Sequence, residues 1–152
     1  MIKQNKRILI ALFLFFAFVL VYTRMDFLIH SELYAYGLQF NQKWFGTNQI
    51  IYFFMFQLAI VVCTYIAQNW KFLIFTEAFV LSATQDLIYF AWNDFNYPVG
   101  DWTWMPFYSW FGAWTTVHQL VFSISVLAIT LTALRMAPQL YVLLKTPDKV
   151  MG

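Results

Sequence analysis

The sequence is poor in charge. Only 11% of its 152 residues are Asp, Glu, Lys or Arg, whereas soluble domains carry about 25%. Hydrophobic residues make up 62% of the chain, and the mean hydropathy is +0.63. Because so few charges cannot solvate a globular surface, the composition predicts an integral membrane protein whose principal surroundings are the lipid bilayer.

Cysteine, basic clusters and glycine-rich loops are also scarce. The single cysteine, Cys63, excludes a disulfide-stapled secreted domain. A net charge of +2 without a dense basic patch excludes a nucleic-acid-binding protein. The chain has no phosphate-binding glycine loop, no Cys-x-x-Cys and no His-Glu-x-x-His, so the common nucleotide, redox and zinc-protease motifs are absent.

Four long apolar runs are present instead. A helix needs about 17 to 25 residues to cross a bilayer. The runs predict one domain, residues 1–152, folded as an all-α, four-helix transmembrane bundle with helices at about 8–29, 50–67, 72–92 and 115–134. The first run follows a basic tail, as in a signal peptide, but no pair of small residues follows it, which favours an uncleaved helix.

The basic residues predict the orientation of this bundle. Two of the nine basic residues, Arg24 and Lys43, fall on one side of the predicted helices. The other seven fall on the opposite side: Lys3, Lys6, Arg7, Lys71, Arg135, Lys145 and Lys149. By the positive-inside rule both termini are cytoplasmic, and the connections 23–49 and 93–114 face outward.

Both outer connections are rich in aromatic residues. The segment 92–114 contains five of the seven tryptophans: Trp92, Trp102, Trp104, Trp110 and Trp114. Indole rings favour the headgroup layer, so we expect an interfacial aromatic cap, or a lid over a pocket. The segment 27–46 places apolar residues on one stripe and predicts a short interfacial helix after helix one.

The third predicted helix carries two acids. Each charged acid costs about 2.5 to 3.5 kcal/mol at the bilayer centre. Glu77 and Asp86 are nine residues apart, which places them on opposite faces of a straight helix. We therefore expect this helix to lie centrally in its own bundle or to be covered by another subunit.

Polar stripes on helices two and four are expected to face a common interior. On helix two the stripe is Gln57, Thr64 and Gln68, and on helix four it is Thr115, His118, Ser125 and Thr132. Glu77 is then either a proton carrier or a structural acid that is bonded to Gln57, to Thr64 or to another chain.

A second candidate site lies at the outer leaflet. Asp86 and His118 have similar predicted depths, and Asp26 and His30 are spaced to share a helical face. Asp86 and His118 are candidates for acid and base catalysis, or for a hydrogen-bonded pair that joins helices three and four. With Asp26 and His30 they would form a zinc, copper or iron site.

Three functions are compatible with these features. The leading hypothesis is a non-catalytic subunit, or an oligomerising component, of a larger membrane complex that contains other subunits or further copies of the chain. The first alternative is a membrane-embedded enzyme or binding protein for an apolar small molecule or a metal, which uses the outer Asp/His site. The second alternative is a component of a proton or ion pathway.

Overall fold

The computed structural model describes residues 2–35, 42–93 and 108–145, and the described residues form only helices and turns. The helices are α1 (Ile2–Ala35), α2 (Gln42–Ala67), α3 (Trp70–Leu81), α4 (Thr84–Trp92), α5 (Tyr108–Phe111) and α6 (Thr116–Lys145). By length and composition, α1, α2 and α6 are apolar enough to cross a membrane, and the bent pair α3 and α4 would make a fourth span. The prediction of a helical membrane protein is confirmed at this level.

Helix α1 continues further than the sequence suggested. Residues 27–35 belong to α1 and residues 42–46 to the start of α2. The expected separate helix over 27–46 is therefore wrong, and residues 36–41 lie outside the described residues. Neither proline nor glycine occurs between Ile2 and Ala35, so nothing in the sequence interrupts the helical hydrogen bonds.

A tight turn joins α2 to α3. Gln68 has a φ of 48°, and the Asn69 side chain caps α3 by accepting a hydrogen bond from the Lys71 backbone at 3.0 Å. The start of α1 packs on this turn: Gln4 donates to the Ala67 carbonyl at 2.9 Å, and Arg7 donates to the Gln68 side chain. The beginning of α1 and the α2–α3 turn therefore lie at the same end of the molecule.

The third predicted helix, over 72–92, is not continuous. It breaks at Ser82 and Ala83, and the two halves α3 and α4 are bent by 65°. The break follows from the left-handed backbone of Ala83, whose φ is 52°. This conformation is uncommon for a residue with a side chain, and no local sequence feature predicts it.

Helix α6 extends past its predicted end near residue 134 and includes Pro138. In a regular helix the Leu134 carbonyl would accept from the backbone N–H of residue 138, which proline lacks. The Lys71 ammonium donates to the Leu134 carbonyl at 2.9 Å instead. A side chain from α3 thereby satisfies the carbonyl that Pro138 leaves unpaired.

An aromatic core joins α1, α2 and α3. Phe15 of α1 makes edge-to-face contacts with Phe72 and Phe79 of α3, at ring-centroid distances of 6.4 and 5.6 Å. Phe56 and Ile60 of α2 are fully buried in the same core. In contrast, only 6% of the apolar window of α6 is buried, against 22% in α1 and α2, so α6 is the least covered span.

Candidate functional site

Two carboxylates and three tyrosines gather between α1, α2 and α4. The carboxylates of Asp86 and Asp26 and the phenols of Tyr22 and Tyr89 all interact electrostatically with the Tyr52 hydroxyl. The rings of Tyr22 and Tyr52 are in contact, with centroids 5.0 Å apart. We call these five residues the acid–tyrosine cluster.

Helical spacing explains how the three helices build this cluster. Tyr22 and Asp26 are four residues apart on α1, and Asp86 and Tyr89 are three apart on α4, so each pair shares a face. Tyr52 projects from α2 and is partly buried, with its ring against those of Tyr22 and Phe56. Helix α4 packs on α1, and the cluster depends on this packing.

The break also gives Asp86 a more favourable electrostatic environment. Asp86 lies in the first turn of α4, where the helix dipole and the free backbone N–H groups favour a negative charge. In an unbroken helix over 72–92, Asp86 would lie in the interior, where this stabilisation is absent. The break creates a helix N-terminus at the depth of the acid.

Polar contacts hold the far end of α4 against α1. Arg24 donates to the Asn93 side-chain oxygen at 2.8 Å, and Asn93 donates to the backbone carbonyls of Thr23 and Tyr89 at 3.3 and 2.9 Å. The Arg24 guanidinium also lies 5.2 Å from the centroid of the Phe27 ring. These contacts place a basic residue at the edge of the cluster.

Gln85 adds a buried acceptor beside the cluster. It is 6% exposed, and its Oε1 has no hydrogen-bond partner among the described residues. Gln85 shares the face of α4 that carries Tyr89, one turn deeper. A buried acceptor of this kind costs about 1 to 3 kcal/mol unless a donor reaches it.

The second acid, Glu77, makes a separate contact. Gln57 of α2 donates to its carboxylate at 3.1 Å. Asp86, on the other side of the break, acts on Tyr52, which also belongs to α2. The expectation of opposite faces assumed a straight helix, so the 65° break between α3 and α4 removes its basis.

The rest of the predicted stripe on α2 is only partly engaged. Gln68 accepts from Arg7, whereas the buried Thr64 hydroxyl has no partner among the described residues. On α6 the predicted stripe faces the wrong way, since His118, Ser125 and Thr132 are exposed in the single chain.

The buried polar face of α6 consists of Gln119 and Ser123 instead. Gln119 is 0% exposed and donates to the Ser82 carbonyl at 2.7 Å, while Ser123 donates to the same carbonyl at 3.0 Å. Trp114 donates to the Gln119 side-chain oxygen at 2.9 Å. Sequence reasoning missed this network, although the four-residue spacing of Gln119 and Ser123 marks a common helical face.

His118 lies apart from this network. Its Nδ1 accepts from the Thr115 backbone at 3.1 Å, and its ring packs on Trp114 with centroids 5.9 Å apart. Asp86 lies on the face of α4 that carries Asn93, and Asn93 contacts α1. The pairing of Asp86 with His118 therefore stays a prediction that none of the contacts of His118 supports.

The proposed metal site is likewise without support in the described residues, in which no three His, Cys, Asp or Glu side chains come together as a metal site. The His30 side chain lies outside the described residues. The set Asp26, His30, Asp86 and His118 remains a prediction.

The aromatic cap is described only in part. Trp92 and Trp110 are exposed, at 56% and 74%, whereas Trp114 is buried at 7%. Trp102 and Trp104 lie outside the described residues, as does the rest of segment 94–107. Trp114 therefore differs from the cap prediction, because its indole N–H is bonded inside the protein.

Comparison with known protein families, with curated proteins and with solved structures found no match.

Proposed function

We propose that this chain is a membrane-embedded binding protein whose acid–tyrosine cluster takes up a small cation, the proton included. The observation that carries this proposal is that two carboxylates from separate helices, Asp26 and Asp86, both act electrostatically on the Tyr52 phenol, whose ring contacts the Tyr22 ring with centroids 5.0 Å apart. It combines elements of the binding-protein and ion-pathway alternatives. If Asp86 were a catalytic residue, as the enzyme alternative predicts, it would act in this cluster with Tyr52 as its partner instead of His118.

The chemistry of the cluster favours a cation over an anion or a neutral ligand. Its charged members, Asp26 and Asp86, are both acidic, so the electrostatic potential at the cluster attracts a cation and repels an anion. A proton shared between the two carboxylates is the smallest such cation. The tyrosine faces add cation–π attraction, and the Gln85 oxygen adds an acceptor.

The test is cation binding to the purified protein in detergent. Isothermal titration with sodium, methylammonium and zinc salts covers inorganic and organic cations, and infrared titration of the carboxyl band against pH covers the proton. We expect at least one of these ligands to bind the wild type. Its affinity should fall about tenfold or more in Asp26→Asn and Asp86→Asn, as for loss of a ligand-supporting group.

Glu77→Gln is the matched control, because it neutralises an acid in the same span that lies outside the cluster. It should bind like the wild type. The proposal fails if no cation or proton binds, or if Asp26→Asn and Asp86→Asn bind as tightly as the wild type.

A second candidate, the subunit or oligomerising component, is supported by the surface of α6. This helix has little cover, yet its exposed side includes the polar residues His118, Ser125 and Thr132. Polar and small residues in a span favour helix–helix contact over lipid. Glu77 already has a partner within the chain, Gln57, so α6 is the surface on which a second copy or another subunit would pack.

The oligomeric state of the detergent-solubilised protein tests this second candidate. Light scattering should give a mass above that of one chain, and Ser125→Leu and Thr132→Leu should lower it. Leu131→Ala, on an exposed apolar position of the same helix, is the control. A monomeric wild type would rule out self-association, and a native membrane extract that yields only the free chain would rule out a hetero-complex.

We also propose that both termini are cytoplasmic and that the aromatic segment 92–114 caps the outer face. Contacts between the start of α1 and the α2–α3 turn, and between Lys71 and Leu134 of α6, support one shared end for the basic residues. Cysteine labelling of intact cells, in a Cys63→Ala background, tests this orientation. A cysteine at Trp110 should react with an impermeant reagent, and a cysteine at Asn5 should not.

A further inference from the structure

The break in the third span exposes a backbone carbonyl. In a continuous helix the Ser82 carbonyl would accept from the Asp86 backbone N–H, but that N–H bonds to the Ala83 carbonyl at 3.1 Å. Lipid offers no donor, so a carbonyl at this depth needs a partner from the protein. Gln119 and Ser123 of α6 supply two donors, at 2.7 and 3.0 Å.

The polar side chains around the Ser82 carbonyl all have hydrogen-bond partners. Besides Ser82, the Gln119 amide donates to the Ser123 hydroxyl at 3.0 Å, and its oxygen accepts from the Trp114 indole. Gln119 is 0% exposed and Ser123 is 2% exposed. A fully bonded buried network of this kind has one low-energy arrangement, so it fixes the position of the carbonyl to which it binds.

The position of that carbonyl determines the direction of α4. Asp86 lies three residues after Ala83 and Trp92 lies nine after it, which is about 4.5 and 13.5 Å along the helix axis. A 20° change in the tilt of α4 would move Asp86 by about 1.5 Å and the end of α4 by about 5 Å. Binding groups need to be held within about 0.5 Å, so such a tilt would disrupt the cluster.

We infer that Gln119, together with Ser123 and Trp114, is a positioning residue that holds α4 and thereby sets the place of Asp86 in the acid–tyrosine cluster. The part of this inference that concerns binding rests on the proposed function, whereas the part that concerns the tilt of α4 does not. No substrate contact is assigned to Gln119, since it acts through the backbone of Ser82.

The tilt is measured directly by spin labelling. In a Cys63→Ala background, labels at the exposed positions Tyr65 and Trp92 report the distance between the inner end of α2 and the outer end of α4. In Gln119→Leu we expect the mean distance to shift by about 3 to 5 Å, or its distribution to broaden by as much. An unchanged distribution in this variant overturns the inference.

Milder variants keep the test decisive if Gln119→Leu fails to fold. Ser123→Ala removes one of the two donors, and Ser31→Ala makes the same change at an exposed position on α1. Trp114→Phe removes the indole N–H, and Trp110→Phe is its exposed control. The first variant of each pair should shift the distance in the same direction as Gln119→Leu, and the controls should not. If the network variant and its control give the same label-to-label distance in both pairs, the inference is contradicted.

Cation affinity provides the second readout. Ser123→Ala should weaken binding about tenfold, and Ser123→Thr, which keeps the hydroxyl donor, should restore it. A distance that shifts while the affinity stays at the wild-type value contradicts the positioning of Asp86. If the wild type binds no cation, the proposed function fails, and the distances alone decide whether the network holds α4.

Discussion

The helical backbone is interrupted at Ala83 and again at Pro138, and the two interruptions have opposite results. At Ala83 the third span breaks and bends by 65°. At Pro138, helix α6 continues to Lys145 without a break. Each interruption leaves a carbonyl without its helical donor, and in each a side chain from a neighbouring helix replaces that donor.

The two interruptions differ in the backbone conformation of the interrupting residue and in the side chain that donates to the freed carbonyl. Proline has a φ compatible with a helix, so only its missing N–H and its ring disturb α6, and one flexible lysine is enough to bond the freed carbonyl. Ala83 has a left-handed φ, which turns the chain by 65° and cannot be absorbed into a helix. The broken span consequently needs a rigid buried network, and it gains a helix N-terminus beside Asp86.

The largest effect is expected from Ala83→Val. A left-handed backbone costs an ordinary residue about 1 to 2 kcal/mol and a β-branched residue more, and the added methyl groups would overpack the contact with Trp114. The free energy of unfolding should fall by about 2 to 4 kcal/mol, measured by denaturation in mixed micelles. Ala83→Gly, which suits a positive φ, should be at least as stable as the wild type. If both variants lose equal stability, the backbone of Ala83 does not cause the break.

The second prediction tests the interruption at Pro138. Lys71→Met should lower the free energy of unfolding by about 2 kcal/mol, because it leaves the Leu134 carbonyl without a donor. Pro138→Ala returns the backbone N–H, so the double variant should lose little or none of this stability. A double-mutant cycle measures the coupling. Strictly additive effects would show that Lys71 does not compensate for the proline.

Sequence periodicity predicted the helices well where nothing interrupts them. The apolar runs near Ile8, Ile50 and Thr116 all lie within long helices, because length and hydropathy depend only on local composition. The break at Ala83 was not predictable, since alanine is the strongest helix former and its left-handed backbone is imposed by tertiary contacts.

That one missed break accounts for much of the error in the candidate site. A straight third helix places Glu77 and Asp86 on opposite faces, whereas the break puts them on two helices that point in different directions, with Glu77 bonded to Gln57 of α2. The polar residues of α6 were assigned to the wrong face for a related reason. Gln119 and Ser123 are buried because they bind the broken backbone, and no sequence pattern indicates that such a backbone is present.

The smallest effect is expected at Glu77, on the regular side of the break. Glu77→Gln keeps an oxygen that accepts from the Gln57 amide, so the free energy of unfolding should change by less than about 0.6 kcal/mol, the average for a polar contact between spans. Glu77→Leu removes that acceptor and should cost more. Infrared spectra of the two variants, recorded with the denaturation curves, show whether the carboxyl band lost with Glu77 is the one that titrates. If the band that titrates is the one lost with Glu77, the titrating acid lies on α3 and not on α4. The proposed role of α4 in proton binding would then belong to α3.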